Sequence, residues 1–324
     1  MKTKKEKEEL LRVLIIGAGN IGALYDTPKS KNVLTHAHAF SLHKNFTLVG
    51  FVDTDEAKAK KASAIWGGKA FSSIKDAFSD EQVDVAVNAT PDHKHFETLK
   101  ELLKLPIRFI FTEKPLTGTL SEAKEIQKLA KQKNIGIAVN YRRRFVPDFI
   151  TLEKDIKNGR YGEYLSGNGY YGKGIVHNGS HIIDLLQYFI GEITSATPLI
   201  PSETKNGYDP EISYMIQFNG GKSFILQNID YRNYTIFEVD LLFSKARLRI
   251  TDSGFRIETQ KVKDDKVFPG YRNMEVCAVK DTSLGMAMYF CADNIYRHLS
   301  KKEPLACSLA DGCSTMNAIS KIVS

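Results

Sequence analysis

Long apolar runs are missing from this sequence. No stretch approaches the roughly 20 consecutive apolar residues that a membrane-spanning helix needs. The first apolar run, LLRVLIIGAG at 10–19, leads into a turn and carries no small-residue cleavage signature. Internal repeats and low-complexity linkers are missing as well. We therefore expect a cytoplasmic globular protein with no membrane partner.

Cysteine is scarce, and the chain has no close-paired metal-binding motif. The four cysteines lie in the last fifth of the sequence, and their spacings match no zinc pattern. An HExxH motif is also absent, so we predict no bound metal. Because nothing else indicates secretion, we expect reduced thiols rather than disulfides at these positions, which are Cys277, Cys291, Cys307 and Cys313.

A strong excess of one charge is lacking too. The chain has 45 basic and 38 acidic residues, and its lysines are interleaved with glutamates, as in KTKKEKEEL. Such mixing is typical of a solvated surface rather than of a nucleic-acid interface. The composition is 42% hydrophobic and 26% charged over 324 residues, which predicts a globular protein of two domains.

Short β-branched runs alternate with helical patterns through the first 141 residues, at 12–19, 46–53, 83–90, 107–115 and 135–141. Continuous apolar strands separated by helices predict a parallel sheet covered on both faces. With the glycine turn after the first run, they predict a doubly wound Rossmann domain over 1–141. Later strands alternate in polarity between turns such as NGGK, which predicts an α+β domain with an open, mostly antiparallel sheet over 142–324.

The sequence GAGNIG at 17–22 matches the G-x-G-x-x-G pattern of dinucleotide-binding turns. In that pattern Gly17 permits the tight turn, Gly19 lets the backbone approach a pyrophosphate, and Gly22 lets the helix pack on the strand. The amides of Asn20 and Ile21 are expected at the start of the helix, where its dipole favours anions. These five residues form the predicted phosphate-binding turn.

Asp53 ends the second predicted strand and is the candidate for binding the adenosine ribose hydroxyls. It follows Gly22 by 31 residues, more than the usual spacing of about 20, because DTPKSKNVLTHAHAF is inserted at 26–40. A carboxylate at this position repels a 2′-phosphate, which favours NAD over NADP. The alternative is that Asp53 only caps the following helix.

A second turn, ATPDHKH at 89–95, follows the third long strand at the edge where open α/β sheets bind their ligands. Thr90 and Pro91 are expected to lie beside the nicotinamide-side ribose. His93 and His95 face away from each other on the first helical turn. Each is either a ligand-binding residue or an ordinary surface residue, and we take His93 as the cofactor-binding candidate.

A third turn, TEKPL at 112–116, follows the next parallel strand at the same edge. A lysine there can be coupled to a cofactor or substrate hydroxyl, so Lys114 is a candidate for both binding and chemistry. Glu113 is expected to orient this lysine or to contact the cofactor.

Two histidines stand four residues apart in GIVHNGSH at 174–181. On a helix His177 and His181 share a face, as in a metal pair, but a third ligand is missing. A triad of Ser180, His181 and Asp184 fails because consecutive helical residues point to different faces. A proton-transfer role and a simple helix cap both remain open for this stretch.

Taken in order, GAGNIG, Asp53, ATPDHKH, EKPL and the glycine–serine–histidine element resemble the Gfo/Idh/MocA oxidoreductases, relatives of glucose–fructose oxidoreductase and inositol dehydrogenase. The resemblance covers essentially the whole chain, and EKP is its most specific part. It implies a Rossmann domain followed by an open-sheet domain. It also implies NAD(P)-dependent oxidation or reduction of sugars, cyclitols or their derivatives.

The resemblance implies that Lys114 and His181 act on the substrate hydroxyl. We expect His181 to be the acid/base and Lys114 to polarise the oxygen, with the reverse assignment open. The family element is usually D-x-G-x-H or N-x-G-x-H, so His177 stands where an aspartate or asparagine is usual. An imidazole there can still hydrogen-bond to substrate but brings no fixed negative charge.

The resemblance also places Asn140 and Arg144, both in NYRRRFVP at 140–147, near the crevice. Arg144 there, and Lys173 just ahead of the histidines, would bind a carboxylate or phosphate, which points to an anionic, sugar-like substrate. The family further implies a homodimer or homotetramer. A redox-neutral, NAD-dependent glycoside-cleaving enzyme and a non-catalytic dinucleotide sensor are the alternative functions.

Overall fold

The structure is a computed structural model that describes residues 9–199 and 209–323. The chain forms two compact units. Unit 1 contains the residues up to Phe145 together with Gly285–Cys313, and unit 2 contains Val146–Leu284 together with the residues from Ser314 onward. The sequence-based limits, 1–141 and 142–324, stay a prediction, and parts of them (1–8, 200–208 and 324) lie outside the described residues.

Strands and helices are numbered in chain order. The strands are β1 (Leu11–Ile16), β2 (Phe46–Val52), β3 (Lys69–Phe71), β4 (Val85–Asn88), β5 (Phe109–Thr112), β6 (Gly136–Val139), β7 (Tyr164–Tyr171), β8 (Ile193–Pro198), β9 (Tyr214–Phe218), β10 (Ser223–Asn228), β11 (Phe237–Phe243), β12 (Ala246–Thr251), β13 (Arg256–Asp264) and β14 (Arg272–Asp281). The α-helices are α1 (His36–Leu42), α2 (Glu56–Trp66), α3 (Ile74–Asp80), α4 (His95–Leu102), α5 (Leu120–Lys133), α6 (Pro147–Lys157), α7 (Ser180–Phe189), α8 (Ala287–Lys301) and α9 (Leu309–Val323).

Unit 1 is built on a parallel sheet in the order β3-β2-β1-β4-β5-β6. The strand order reverses between β1 and β4, which pair with each other, and such a switch point is where doubly wound sheets bind ligands. Every residue of β4 and β5 is buried, as expected for strands covered by helices on both faces. The predicted Rossmann architecture is confirmed. The short strand β3 escaped prediction because its sequence, KAF, contains no apolar run.

The insertion after the glycine turn divides the first helix of the sheet. A π-helical turn covers Asn20–Leu24, and α1 begins only at His36. The Asp26 carboxylate ties the intervening loop together. It accepts hydrogen bonds from the Leu34 amide (2.7 Å) and the Thr35 hydroxyl (2.6 Å), and it pairs with His38 Nδ1 (2.8 Å). Thr35 in turn caps α1 by accepting from the His38 amide.

Trp66, the single tryptophan of the chain, belongs to this part of unit 1. It ends α2 and is buried, and its indole N–H donates to the Ala23 carbonyl at 2.8 Å. Because buried tryptophans need a partner for that N–H, this bond fixes α2 against the π-helical turn that follows the glycines.

Residues far along the chain complete unit 1. Ser308 forms a β-bridge with Ala138 in β6, and the Met288 thioether of α8 lies 3.3 Å from the Asn140 side-chain nitrogen. The His43 ring, just after α1, packs against Tyr296 of α8 with ring centroids 5.3 Å apart. The helix α8 is therefore part of the Rossmann core, although it follows the strands of unit 2 in sequence.

Unit 2 is built on a sheet in the order β14-β13-β12-β11-β7-β10-β9-β8. Neighbouring strands are antiparallel except β7 and β10, which are parallel. Buried and less buried residues alternate along β11 and β12, which is the pattern of a sheet with one covered face. The prediction of a mostly antiparallel sheet in the second part of the chain is confirmed.

Candidate active site

The glycine turn leaves β1 in a conformation that requires glycine at two positions. Gly17 has a φ of 96°, and a β-carbon there would lie 2.8 Å from the Thr90 nitrogen. A β-carbon on Gly22 would lie closer than 3.0 Å to the carbonyl oxygen of Gly17. Both contacts are with backbone, which cannot rotate away. The first and third positions of the turn therefore require glycine.

Gly19 is different because a β-carbon there would meet no atom within 4 Å. Its backbone is extended, with a φ of −78°, so glycine is not needed for folding at this position. Open space above the second glycine is what the approach of a pyrophosphate requires. Asn20 and Ile21 follow at the start of the π-helical turn, where Asn20 is exposed. The residues present therefore fit a dinucleotide.

Asp53 stands directly beside this turn. One of its carboxylate oxygens accepts a hydrogen bond from the Ala18 amide at 2.9 Å, and the other accepts from the Asp55 amide at 2.9 Å. Asp55, not Asp53, is the N-cap of α2, since its side chain accepts from the Ala57 amide. Each Asp53 oxygen keeps a lone pair for a further donor, as a ribose-binding residue needs.

A cavity of about 580 Å³ brings several predicted cofactor residues together in unit 1. This volume is within the usual range for small-molecule sites. Ser72, Ser73 and Lys94 also line the cavity. Its walls include the predicted residues Gly17, Asp53, Thr90, Pro91 and His93.

His95 has a role that sequence reasoning did not identify. It is fully buried, and its two ring nitrogens lie 2.9 Å from the Thr90 carbonyl oxygen and 2.6 Å from that of Pro115. The side chain thus connects the ATPDHKH turn to the EKP turn. The spacing of His95 with Thr98, Leu99 and Leu102 on the buried face of α4 was a signal that this histidine points inward.

Lys114 follows β5 at the carboxyl end of the strand and is half-buried, and its peptide bond to Pro115 is cis. The preceding Glu113 carboxylate is buried and accepts hydrogen bonds from His36 Nε2 (2.9 Å) and Asn140 Nδ2 (2.6 Å). Burial by itself raises the pKa of Glu113, but the hydrogen bond and charge of His36, with Lys114 and Asn140, outweigh it and lower the pKa to about 2. Glu113 is therefore an ionised, buried anion.

The predicted second half of the site lies in unit 2. His177 belongs to a π-helical stretch, Gly174–Gly179, and His181 is the second residue of α7, so the two histidines span a change of helix type. π-Helical turns are rare and are often found at functional sites. The Ser180 hydroxyl donates to the His177 carbonyl and Thr315 donates to Asp184, which agrees with the rejection of a serine triad.

Asp209 is a carboxylate that the sequence did not connect with the histidines. Its two oxygens accept hydrogen bonds from the amides of Val176 (2.6 Å) and His177 (3.0 Å). It lies 32 residues after His177, and no motif or periodicity relates the two. His177 thus stands at the position where the family element usually has Asp or Asn. Its backbone amide is held by the Asp209 carboxylate.

The two predicted anion-binding residues have different surroundings. The Arg144 guanidinium is buried and pairs with Asp311 at 2.9 Å. Lys173 is exposed, with a left-handed φ of 64°, immediately before the π-helical stretch. Binding of substrate by these residues stays a prediction, as does joint action of Lys114 in unit 1 with His181 in unit 2.

Within 9–199 and 209–323, no group of three or more His, Cys, Asp or Glu side chains is arranged to hold a metal ion. None of the helices in these ranges has the length and apolar character needed to cross a membrane.

The parallel sheet, the glycine turn and the carboxylate beside it define the class: a Rossmann protein built to bind a dinucleotide. Residues 11–141 match the Gfo/Idh/MocA family, described as an oxidoreductase family with an NAD-binding Rossmann fold. The recognition made from the motifs is confirmed for residues 11–141, which are the part of the chain that matches this family. The family description also confirms the prediction of NAD as the cofactor of this domain.

Similar curated proteins include an uncharacterised oxidoreductase of Schizosaccharomyces pombe, 26% identical over 211 residues, which are 60% of this chain and 55% of that protein. An inositol 2-dehydrogenase of Arthrobacter is 29% identical over 221 residues, which are 63% of this chain and 62% of that protein. The chain thus spans little more than half the length of these two relatives.

Solved structures share the fold over nearly the whole chain. The WlbA dehydrogenase of Bordetella pertussis, solved with NADH and UDP-GlcNAcA, has a TM-score of 0.78 at 17% identity, over 98% of this chain and 96% of that one. The UDP-N-acetylglucosamine 3-dehydrogenase GnnA of Acidithiobacillus ferrooxidans has a TM-score of 0.75 at 16% identity, over 97% of both chains. At these identities the likeness shows the fold alone.

Proposed function

We propose that this protein is an NAD-dependent oxidoreductase that transfers a hydride between nicotinamide and a secondary hydroxyl or keto group of a sugar-like molecule. One observation carries the proposal. The Lys114 turn leaves the sheet at the same carboxyl edge as the glycine turn, and His95 joins it to Thr90 in the wall of the cavity. A lysine so placed is positioned for chemistry at a bound dinucleotide.

Each residue has a distinct part in this reaction. Bound NAD supplies the hydride acceptor. Gly19 and Asp53 hold its pyrophosphate and adenosine ribose. Lys114 donates to the substrate oxygen, and His181 takes the hydroxyl proton as general base, or returns it in the reverse direction. His177 contributes a hydrogen bond to the substrate, and Asp209 keeps that part of the backbone in place.

A cyclitol, a sugar or a nucleotide sugar is the proposed substrate class. The inositol 2-dehydrogenases among the relatives and the UDP-sugar dehydrogenases among the structural neighbours favour this class. Lys173 is the better candidate for an anionic group of the substrate, because it is exposed while Arg144 already pairs with Asp311. A cytoplasmic homodimer or homotetramer stays part of the proposal.

The test is a turnover screen of the purified chain with NAD or NADH against sugars, cyclitols and nucleotide sugars. Lys114→Ala and His181→Ala should each lower turnover at least about a hundredfold, the usual effect of losing a general acid or base, while NADH affinity stays within about twofold. The matched control is Lys104→Ala, which removes an exposed lysine just before β5.

Other outcomes point to other functions. Normal turnover in Lys114→Ala would remove the lysine from the mechanism. Product formation without net NADH would indicate the redox-neutral, glycoside-cleaving alternative. NAD binding with no turnover on the panel, and a Lys114→Ala variant changed only in stability, would indicate a dinucleotide sensor.

A further inference from the structure

The buried anion beside Lys114 is held by a residue outside the motifs that define the family resemblance. Glu113 is one of the least exposed acidic residues of unit 1, at 8%. A buried carboxylate stays ionised only if donors replace its lost water. The donors here are His36 Nε2 at 2.9 Å, Asn140 Nδ2 at 2.6 Å and the Lys114 amide at 3.3 Å. We call Glu113, His36 and Asn140 the Glu113 cluster.

His36 reaches the Glu113 cluster from the inserted segment. It is the first residue of α1, whose start is fixed by the Thr35 cap and by Asp26. The ring is completely buried and meets the Phe111 ring edge-on, with centroids 5.2 Å apart. An ionised carboxylate only accepts hydrogen bonds, so the Nε2 atom of His36 carries the hydrogen that joins it to Glu113.

The geometry limits what His36 itself can do. Its side chain is 0% exposed, and Nδ1 has no hydrogen-bond partner within residues 9–199 and 209–323. A ring enclosed in this way does not touch substrate. Within the same residues, the ring makes one polar contact, which is the hydrogen bond from Nε2 to Glu113. Any polar effect of the ring on the reaction therefore passes through Glu113.

The charge of Glu113 is coupled to Lys114. The lysine contributes to lowering the pKa of Glu113, and the attraction between two charges is mutual, so the anion stabilises the ammonium in return. Two other titratable groups are coupled to Glu113. Arg142 acts through its permanent charge, and burial raises the pKa of the Cys291 thiol well above its usual value, which keeps it neutral.

We propose that His36 is a positioning residue for Lys114: by donating to Glu113 it keeps an anion buried next to the lysine and fixes the turn that carries it. The proposal rests on the proposed function in one respect, because it takes Lys114 to act in the reaction. It adds that the inserted segment, which lies outside the usual glycine-turn pattern, helps to prepare the lysine for that role.

The test compares His36 with His38, which offers a matched control. Both are buried in α1 and both pair with a carboxylate, but His38 pairs with Asp26 inside the insertion. His36→Leu removes the donor, and His36→Gln places an amide nitrogen near the position of Nε2. His36→Asn is polar but too short to reach Glu113. His38→Leu tests general damage to α1.

The first readout needs no turnover. Trace labelling of the full chain with acetic anhydride at pH 8, followed by mass spectrometry, gives the rate at Lys114 relative to exposed Lys104. With its donor removed, Glu113 becomes protonated, and the Lys114 ammonium without a neighbouring anion loses its proton more readily. We expect Lys114 to label at least about threefold faster in His36→Leu and His36→Asn. His36→Gln should lie within about twofold of the unaltered protein, as should His38→Leu.

The second readout is kinetic. His36→Leu should lower kcat at least about tenfold with little change in KM for NAD, and His36→Gln should restore most of it. An unaltered Lys114 labelling rate in folded His36→Leu would overturn the proposal, and if that variant does not fold, the same result in His36→Asn would do so. If labelling responds but the unaltered protein has no turnover, the proposed function fails and the positioning role stands.

Discussion

The glycine turn allows folding and cofactor binding to be separated with two single-methyl substitutions, Gly19→Ala and Gly22→Ala. The β-carbon of Gly22→Ala would lie closer than 3.0 Å to the carbonyl oxygen of Gly17, which is backbone and cannot move aside. Overpacking of this kind costs about 1–3 kcal/mol. At about 2–4 °C per kcal/mol for a domain of this size, the expected fall in the Tm of unit 1 reaches about 12 °C.

Gly19→Ala should behave in the opposite way. Its backbone is extended, its β-carbon meets nothing within 4 Å, and alanine restricts the unfolded chain, so stability should stay level or rise by up to about 1 kcal/mol. The same methyl group occupies the space that a pyrophosphate needs. We expect NADH affinity to fall at least about tenfold, equivalent to about 1.4 kcal/mol.

The assay uses Trp66 of unit 1, whose indole N–H donates to the Ala23 carbonyl in the π-helical turn after the glycines. Its fluorescence during heating reports the Tm, and isothermal titration with NADH reports the affinity of each variant. Unchanged NADH binding by Gly19→Ala would show that the dinucleotide does not lie over this turn. A Gly22→Ala protein as stable as the original would refute the steric argument itself.

Two further predictions concern carboxylates of unit 1. Asp53→Ala should raise the affinity for NADP relative to NAD, because the repulsion of the 2′-phosphate is lost and Lys94 remains in the cavity wall. An unchanged ratio of the Kd values for NADP and NAD would argue against the ribose-binding role of Asp53. Because the pKa of Glu113 is lowered from 4.5 to about 2, its stabilising effect is complete above pH 4.5 and disappears as the pH falls towards 2. The free energy of unfolding should therefore fall by about 2 kcal/mol more between pH 6 and pH 3 in the unaltered protein than in Glu113→Gln, measured by urea denaturation. Equal losses in the two proteins would contradict the assignment of an ionised, buried Glu113.

The sheet of unit 1 and the tight glycine turn that follows β1 were predictable because their signals are local. Gly17 and Gly22 are required by contacts within a single turn and its neighbouring strand, and the strand pattern follows from burial on both faces. The position of Asp53 beside this turn was also predictable, because the residue immediately follows a strand whose position was clear. Its binding of the ribose stays a prediction.

The residues that escaped prediction act over long sequence distances. His36 reaches Glu113 across 77 positions, and Asp209 reaches His177 across 32. Neither pair has a fixed spacing, since each depends on how separate elements pack in three dimensions. His95 is the exception, because its place on the apolar face of α4 was visible in the helical period.

The return of α8 to unit 1 has a consequence for how the protein is made. The ribosome delivers the chain from its N-terminus, and all the strands of the Rossmann sheet emerge before Phe145. The segment that bridges to Ala138 and packs on His43 emerges only with residues 285–313. At about 5–20 residues per second, synthesis of the segment from Phe145 to the end of α8 takes roughly eight to thirty seconds. Through that interval, the surfaces that α8 covers in the finished protein are open to chaperones and to other nascent chains.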